Sequence, residues 1–348
     1  MDANDDGNRR IVLAARPRGE PNADSFRLEH GPIPEPNEDE LVARTIYLSL
    51  DPYMRGRMND APSYAAAVEI GEVMTGGTVG QVIASKLDGF EIGDFVLAQG
   101  GWQDYATLGA GEARRLDPSV APIGSALGVL GMPGLTAWSG LREIGRPEPG
   151  ETLVLAAASG AVGALVGQIA KLRGCRVVGL AGSADKRAYL LDELGFDAAL
   201  DYRAPDFAAT LEAACPEGID IYWENVGGPL FEAVLPLLNT FARVPVCGLI
   251  HWYNATSLPK VTDPTPALMR AILVKRLTLR GFIVFDHADL QDEFVTEIGA
   301  WLREGKIRYR EDVRDGLENA PDAFAGLLRG ENFGKLLIRV SDDPTVGG

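Results

Sequence analysis

The sequence predicts an α/β protein of two domains: a β-rich domain, then a doubly wound parallel sheet. Three observations lead there. The chain has 348 residues, more than one ordinary core takes up. Its first third is broken into short apolar stretches by turn signals such as Gly31-Pro32, Glu35-Pro36-Asn37, Gly76-Gly77 and Gly100-Gly101, the punctuation of strands. From Thr152 onward, apolar runs alternate with amphipathic stretches, and repeated strand–helix units imply a parallel sheet with right-handed crossovers.

In the first domain, Leu41–Leu50, Gly80–Ser85 and Asp94–Ala98 read as strands. The texture changes near Leu130-Gly131-Met132-Pro133-Gly134. Thr152-Leu153-Val154-Leu155-Ala156 is apolar throughout, as a strand buried on both faces should be. Val162, Leu165, Val166 and Ile169 then share one helical face. Further strands are expected at Arg176–Ala181, Ala198–Asp201, Ile219–Glu224, Arg243–Cys247 and Leu277–Phe285, with a helix from about Asp185 to Leu194. Past Gly305 the alternation stops, and Lys335–Val340 reads as a strand returning to the first domain. The domains are thus 1–130 with 305–348, and 131–304. The polar tail Ser341–Gly348 is expected to fray.

Composition excludes several classes. With 49 acidic and 33 basic residues the formal charge is −16, which repels nucleic acid and anionic membrane. No apolar stretch approaches the ~18 residues of a membrane span. The opening is acidic and lacks the apolar stretch of an export signal, so the expected location is the cytoplasm. Cys175, Cys215 and Cys247 make no disulfide framework, and no Cys or His spacing suits zinc. No metal is expected.

Ala157-Ala158-Ser159-Gly160-Ala161-Val162-Gly163 joins the first strand of the α/β part to its first helix. Small residues there let the backbone approach a pyrophosphate at the helix N-terminus. Ala158 stands where the first glycine of G-x-G-x-x-G usually falls, and a tight turn with no ligand would read alike. At the end of the second strand, an NAD site expects a carboxylate for the ribose 2′-hydroxyl. Ala181-Gly182-Ser183-Ala184-Asp185-Lys186-Arg187 has none at its tip. Ser183, Lys186 and Arg187 can face a 2′-phosphate, although Lys186 and Arg187 also suit a solvated helix face.

Several segments together are more specific. Leu48-Ser49-Leu50-Asp51-Pro52-Tyr53-Met54-Arg55-Gly56-Arg57-Met58, Gly131-Met132-Pro133-Gly134-Leu135-Thr136-Ala137, Gly167-Gln168-Ile169-Ala170-Lys171, Tyr222-Trp223-Glu224-Asn225-Val226-Gly227-Gly228 and Asn332-Phe333-Gly334-Lys335 span nearly the whole chain. In these the chain resembles the zinc-free medium-chain dehydrogenase/reductases of the leukotriene hydroxydehydrogenase, prostaglandin reductase and curcumin (alkenal double-bond) reductase group. The resemblance implies a GroES-like catalytic β-domain, a Rossmann dinucleotide domain, NADP(H) as cofactor and a homodimer. Carried over by position, Gly160, Ala161, Val162 and Gly163 line the pyrophosphate, and Lys186 and Tyr202 hold the 2′-phosphorylated adenosine end. Asn225 meets the cofactor's centre, and Cys247, Gly248, Leu249 and Ile250 pass under the nicotinamide ribose. Phe282, Ile283, Val284 and Asn332 close the nicotinamide end. His251 and Trp252 replace smaller residues before Tyr253-Asn254, which puts pocket width in question.

The implied reaction is NADPH-dependent reduction of the carbon–carbon double bond of an α,β-unsaturated ketone or aldehyde. Charge develops on the carbonyl oxygen, so a hydroxyl near that oxygen or the α-carbon lowers the barrier. Tyr253 is the first candidate, also expected beside the cofactor. Tyr53 and Tyr64 follow as pocket walls, Tyr53 with a possible donor role. Each also reads as an ordinary packed aromatic. His251 has no evident orienting carboxylate and reads as pocket-shaping. Quinone or alcohol oxidoreduction, and a catalytically silent NADPH-binding protein, are the alternatives.

Overall fold

Apolar and β-branched residues between glycine turns fold the first part of the chain into strands. The structure, a computed structural model, describes residues 7–256 and 264–346. Most of the acidic opening, on which the expectation about export rests, lies outside them, as do residues 347 and 348 of the tail. Two units are distinct: Met1–Gly128 with Glu311–Gly348, and Val129–Arg310.

The first unit carries β1 (Asn8–Leu13), β2 (Phe26–Gly31), β3 (Glu40–Ser49), β4 (Thr78–Ser85), β5 (Phe95–Ala98), β6 (Tyr105–Gly109) and β7 (Ala113–Leu116). The second carries β8 (Thr152–Leu155), β9 (Arg176–Leu180), β10 (Ala198–Leu200), β11 (Ile219–Trp223), β12 (Leu238–Val246) and β13 (Thr278–Gly281). The chain then returns to the first unit for β14 (Glu311–Asp315) and β15 (Lys335–Arg339). There the larger sheet runs β14-β15-β3-β4-β5-β7, with β6 also on β3. In the second unit the sheet is parallel in the order β10-β9-β8-β11-β12-β13. Chain order reverses direction between β8 and β11, the switch point at which open α/β sheets leave a crevice.

Local reasons are plain at β8 and at the helix that follows. All four residues of β8 are buried, since helices cover both faces of a parallel sheet. In the helix Ala161–Leu172, Leu165, Val166 and Ile169 are buried as the periodicity predicts and Val162 is half-buried, but Gly163, Ala164, Gly167, Gln168 and Ala170 are buried too. A Cβ on Gly167 would overlap the Phe196 ring, so the glycine permits this depth. Gln168 spends its amide on the carbonyls of Ala164 and Arg308 and accepts from the Arg308 N–H.

Three expectations need correction. The helical alternation, expected to stop past Gly305, resumes once in Ala320–Leu328, with Phe324 wholly buried against Trp102. The strand expected over Leu277–Phe285 ends at Gly281, and Val284–Leu290 is a 3-10 helix, whereas the helix expected to about Leu194 is present, α-helical over Ala184–Ala188 and π-helical over Tyr189–Glu193. The tail does not fray at its start: Ser341 donates to the Thr45 carbonyl at 2.8 Å, and Tyr47 donates to Asp343 at 3.0 Å.

A buried ion pair in the first unit joins two segments far apart in sequence. Lys335 Nζ donates to Asp51 Oδ1 and to the Leu50 carbonyl, each at 2.8 Å, and both side chains are under a tenth exposed. Ser49 donates to the other Asp51 oxygen. Burial raises the Glu311 carboxyl, while the Lys335 charge pulls the other way. Removing one partner of such a pair leaves a buried charge unanswered. Lys335→Met is expected to lower stability by about 3–5 kcal/mol. Asp51→Leu combined with Lys335→Met should restore much of that loss, read as the non-additive term of a double-mutant cycle in urea unfolding; strictly additive losses would refute the pair.

Candidate functional site

The carboxyl ends of β8, β9, β11 and β12 lie on one edge of the parallel sheet, and most of the residues singled out from the sequence follow them. After β8 the chain turns through Ala157, whose φ is +53°. The left-handed residue is therefore Ala157, not Ala158, which is wholly buried. Gly160 caps the helix Ala161–Leu172 in an extended conformation, with no side-chain hydrogen bond to the helix end. The first N–H groups of a helix have no partner within it. A Cβ on Gly163 would lie 2.5 Å from the Ala157 carbonyl oxygen and 2.9 Å from Ala158 Cα, so glycine alone brings helix and turn together. Gly160, Ala161, Val162 and Gly163 thus form an open, N–H-rich edge.

After β11, Asn225 spans the switch point. Its side-chain N–H donates to the Ala156 carbonyl at 3.2 Å, and its oxygen accepts from Trp223 Nε1 at 3.1 Å. Glu224 folds back to accept from the Val226 and Gly227 N–H groups, both at 2.7 Å. Its carboxyl is raised by burial, which these two bonds oppose.

The loop after β12 is tied to this one. Ile250 N–H donates to the Asn225 carbonyl and His251 N–H to that of Val226. Tyr253 ends the short helix Ile250–Tyr253, and its Oη accepts from the Leu249 N–H at 3.5 Å. A Cβ on Gly248 would stand 3.3 Å from that oxygen. Tyr253 thus lies over Gly248-Leu249, as its position after a strand's carboxyl end suggests. The His251 and Trp252 rings meet edge to face at 4.6 Å and lie on Gly228 and Gly227, whose φ angles are positive.

The other expected residues have these surroundings. Ser183 Oγ accepts from the Lys186 N–H at 3.3 Å and caps its own helix. Tyr202 is well exposed, with the Arg203 guanidinium 5.6 Å from its ring centre. The Phe282 ring is buried edge-on against Trp223, which leaves the half-buried Ile283 and Val284 at that strand's end. In the other unit, Asn332 turns its amide onto the Gly334 carbonyl at 2.8 Å. Tyr53 packs on the cluster around Trp102, and burial, then the Asp51 charge, holds its hydroxyl proton tightly. Tyr64 is exposed in the same unit.

Sequence reasoning missed Arg203. Its signal was present, a cation three residues past the end of β10, but nothing local says which way it points. A separate hollow of about 790 Å³ lies near Trp138, Arg142, Arg173, Glu293 and Glu297. Its charges answer one another, with Glu297 accepting from Trp138 Nε1 at 2.6 Å and Arg142 meeting Glu293 at 2.5 Å. Among the described residues no group of three or more His, Cys, Asp or Glu is placed to hold a metal ion, and no helix is long and apolar enough to cross a membrane.

The thiols give a direct check on this geometry. Burial pushes Cys175 and Cys215 up to about 11. Cys247 is half-buried as a residue, but its sulfur faces Trp223 and Glu224, and burial with the Glu224 charge pushes it to about 12. At pH 8 no more than about one thiol in a thousand is ionised. Native protein should therefore resist a thiol-directed maleimide at pH 8 and take up three equivalents when unfolded. Because the folded values are raised, stability should fall as pH rises past about 9, where unfolded chains begin to lose thiol protons. Rapid native labelling of Cys247 would contradict the placement.

Comparison with known proteins adds three findings. Residues 9–116 match the family described as N-terminal domain of oxidoreductase, and residues 161–299 the one described as zinc-binding dehydrogenase. The NADPH-dependent curcumin reductase of Escherichia coli (strain K12) is 56% identical over 97% of this chain and 98% of its own. The NADP(+)-dependent 2-alkenal reductase of Nicotiana tabacum is 38% identical over 96% and 98%. The crystal structure of CurA in complex with NADPH from Vibrio vulnificus superposes with a TM-score of 0.94 at 55% identity, covering 96% of this chain and all of that one.

Proposed function

Because the chain belongs to the zinc-free medium-chain dehydrogenase/reductases, in the alkenal and prostaglandin reductase group, we propose that it uses NADPH to reduce the carbon–carbon double bond of α,β-unsaturated ketones and aldehydes. The observation that carries this reading is the likeness over 97% of the chain to a curcumin reductase. The switch point fits the cofactor. The uncapped helix end, the close approach allowed by Gly163 and the open turn at Ala157 make a cradle for a pyrophosphate. Gly160, Ala161, Val162 and Gly163 would hold it, Asn225 would meet the cofactor's middle, and Lys186 and Tyr202 its adenosine end. Gly248, Leu249 and Ile250 would follow the nicotinamide ribose.

The nicotinamide supplies the hydride, which goes to the β-carbon of the substrate. The chain's part is to place the carbonyl and to answer the charge that grows on its oxygen. Tyr253 suits that task. Its oxygen lies 3.5 Å from the Leu249 N–H, a long contact that places the hydroxyl and its proton over Gly248-Leu249. That proton is offered to the carbonyl oxygen or, after hydride transfer, to the α-carbon.

Screening NADPH oxidation against enones, enals, quinones and simple aldehydes tests the reaction; turnover of quinones alone would replace it. Tyr253→Phe is expected to lower kcat about tenfold or more while NADPH binding stays near wild type. An unaltered kcat with hydride transfer limiting would remove Tyr253 from the chemistry, and Tyr53→Phe is the matching test in the β-rich unit.

We also propose a homodimer through the outer edge of β13. Among the described residues β13 pairs only with β12, and an open edge invites a further strand. The neighbouring helix Thr265–Lys275 exposes Met269, Leu273 and Val274, an apolar surface that suits a second copy. Light scattering should give twice the chain mass, and Leu273→Glu should shift it toward one. A cytoplasmic setting suits the three unpaired thiols.

A further inference from the structure

The tip of β9 carries more positive charge than the residues carried over by resemblance account for. Three cations belong to this region, Lys186 and Arg187 on the helix that starts at Ala184, and Arg203 beyond β10. Their surroundings differ. Arg187 is engaged with the protein. Its guanidinium donates to Asp201 Oδ2 at 2.9 Å and lies 3.3 Å from the Ala181 carbonyl oxygen. The other Asp201 oxygen, Oδ1, accepts the Arg203 backbone N–H at 3.0 Å. The Arg203 side chain is left without a hydrogen bond among the described residues. Asp201 lies 3.8 Å from its Nε, beyond hydrogen-bond reach.

Yet Arg203 does not trail into solvent. A Cβ built on Gly182 would overlap its guanidinium, so the group lies directly over the first residues past β9. The Tyr202 ring flanks it at 5.6 Å, a contact that orients the planar fork. Gly182 stands just before Ser183, where an NAD site expects its carboxylate. A planar group with five donors, held over that point and tied to Asp201 only by an ion pair at 3.8 Å, has the geometry to take two oxygens of a phosphate.

Resting on the cofactor reading above, we propose that Arg203 is a specificity-determining residue that binds the 2′-phosphate of NADPH together with Lys186, whereas Arg187 braces Asp201 and the strand end. Gly182 belongs to the same device, since a side chain there would displace the guanidinium from its seat.

The test uses the full chain without cofactor, titrated by calorimetry with adenosine 2′,5′-bisphosphate and with 5′-AMP. Wild type should bind the bisphosphate more tightly. Arg203→Ala should weaken the bisphosphate about tenfold while 5′-AMP changes by less than about twofold. Arg203→Lys should recover part of the loss, and circular dichroism and Tm should match wild type. Added salt should narrow the gap between wild type and Arg203→Ala for the bisphosphate only. If Arg203→Ala binds the bisphosphate as wild type does, or loses both ligands equally, the assignment of Arg203 is wrong although the cofactor reading survives. If wild type itself does not distinguish the two ligands, the NADPH reading fails and takes this inference with it.

Discussion

The helix Ala161–Leu172 can reach the carboxyl end of β8 only because residue 163 has no side chain. A methyl group there would stand 2.5 Å from the Ala157 carbonyl oxygen, and the helix would have to lift away from the turn. Everything at this edge of the sheet follows from that approach. It sets the uncapped helix end beside the switch point, where Asn225 bridges to the first carbonyl beyond β8. It also fixes the depth at which Gly167 meets Phe196. Asn225 in turn accepts through its backbone carbonyl from Ile250, so the loop bearing Tyr253 is referenced to the same turn. Main-chain bonds, rather than side-chain packing alone, hold these loops in register.

The α/β part was legible because its signals are local. An apolar run such as Thr152–Leu155, or the spacing of Leu165, Val166 and Ile169, states its burial without reference to distant residues. The segments around Asp51, Asn225 and Asn332 identified the family for a different reason, through residue patterns whose physical purpose the sequence alone does not disclose. Part of that purpose is now visible. Asp51 and Lys335 are 284 residues apart and meet in the interior, and no periodicity could have joined them.

The site was legible by position and less so by direction. Glycines of the turn and the Tyr253 loop fall where the pattern puts them. What each side chain does there depends on competing partners. The Ser183 oxygen accepts a helix N–H, which fixes its side chain and leaves its hydroxyl proton as the group to offer a phosphate. Arg187 and Arg203 look alike in sequence, and only the two oxygens of Asp201 tell them apart. The tail misled for the same reason: a polar run reads as frayed until Tyr47 and Thr45, nearly three hundred residues earlier in the chain, are seen to hold it.

The left-handed backbone at Ala157 has a thermodynamic side. An alanine with φ of +53° is disfavoured by about 1–2 kcal/mol where a glycine would not be. Alanine also samples fewer backbone states than glycine, so the turn is narrower in its motions once the surrounding packing has forced it into place. The cost of choosing this shape falls on folding. A ligand that needs the turn in this conformation meets it already selected, and less of its interaction energy is diverted into ordering the backbone.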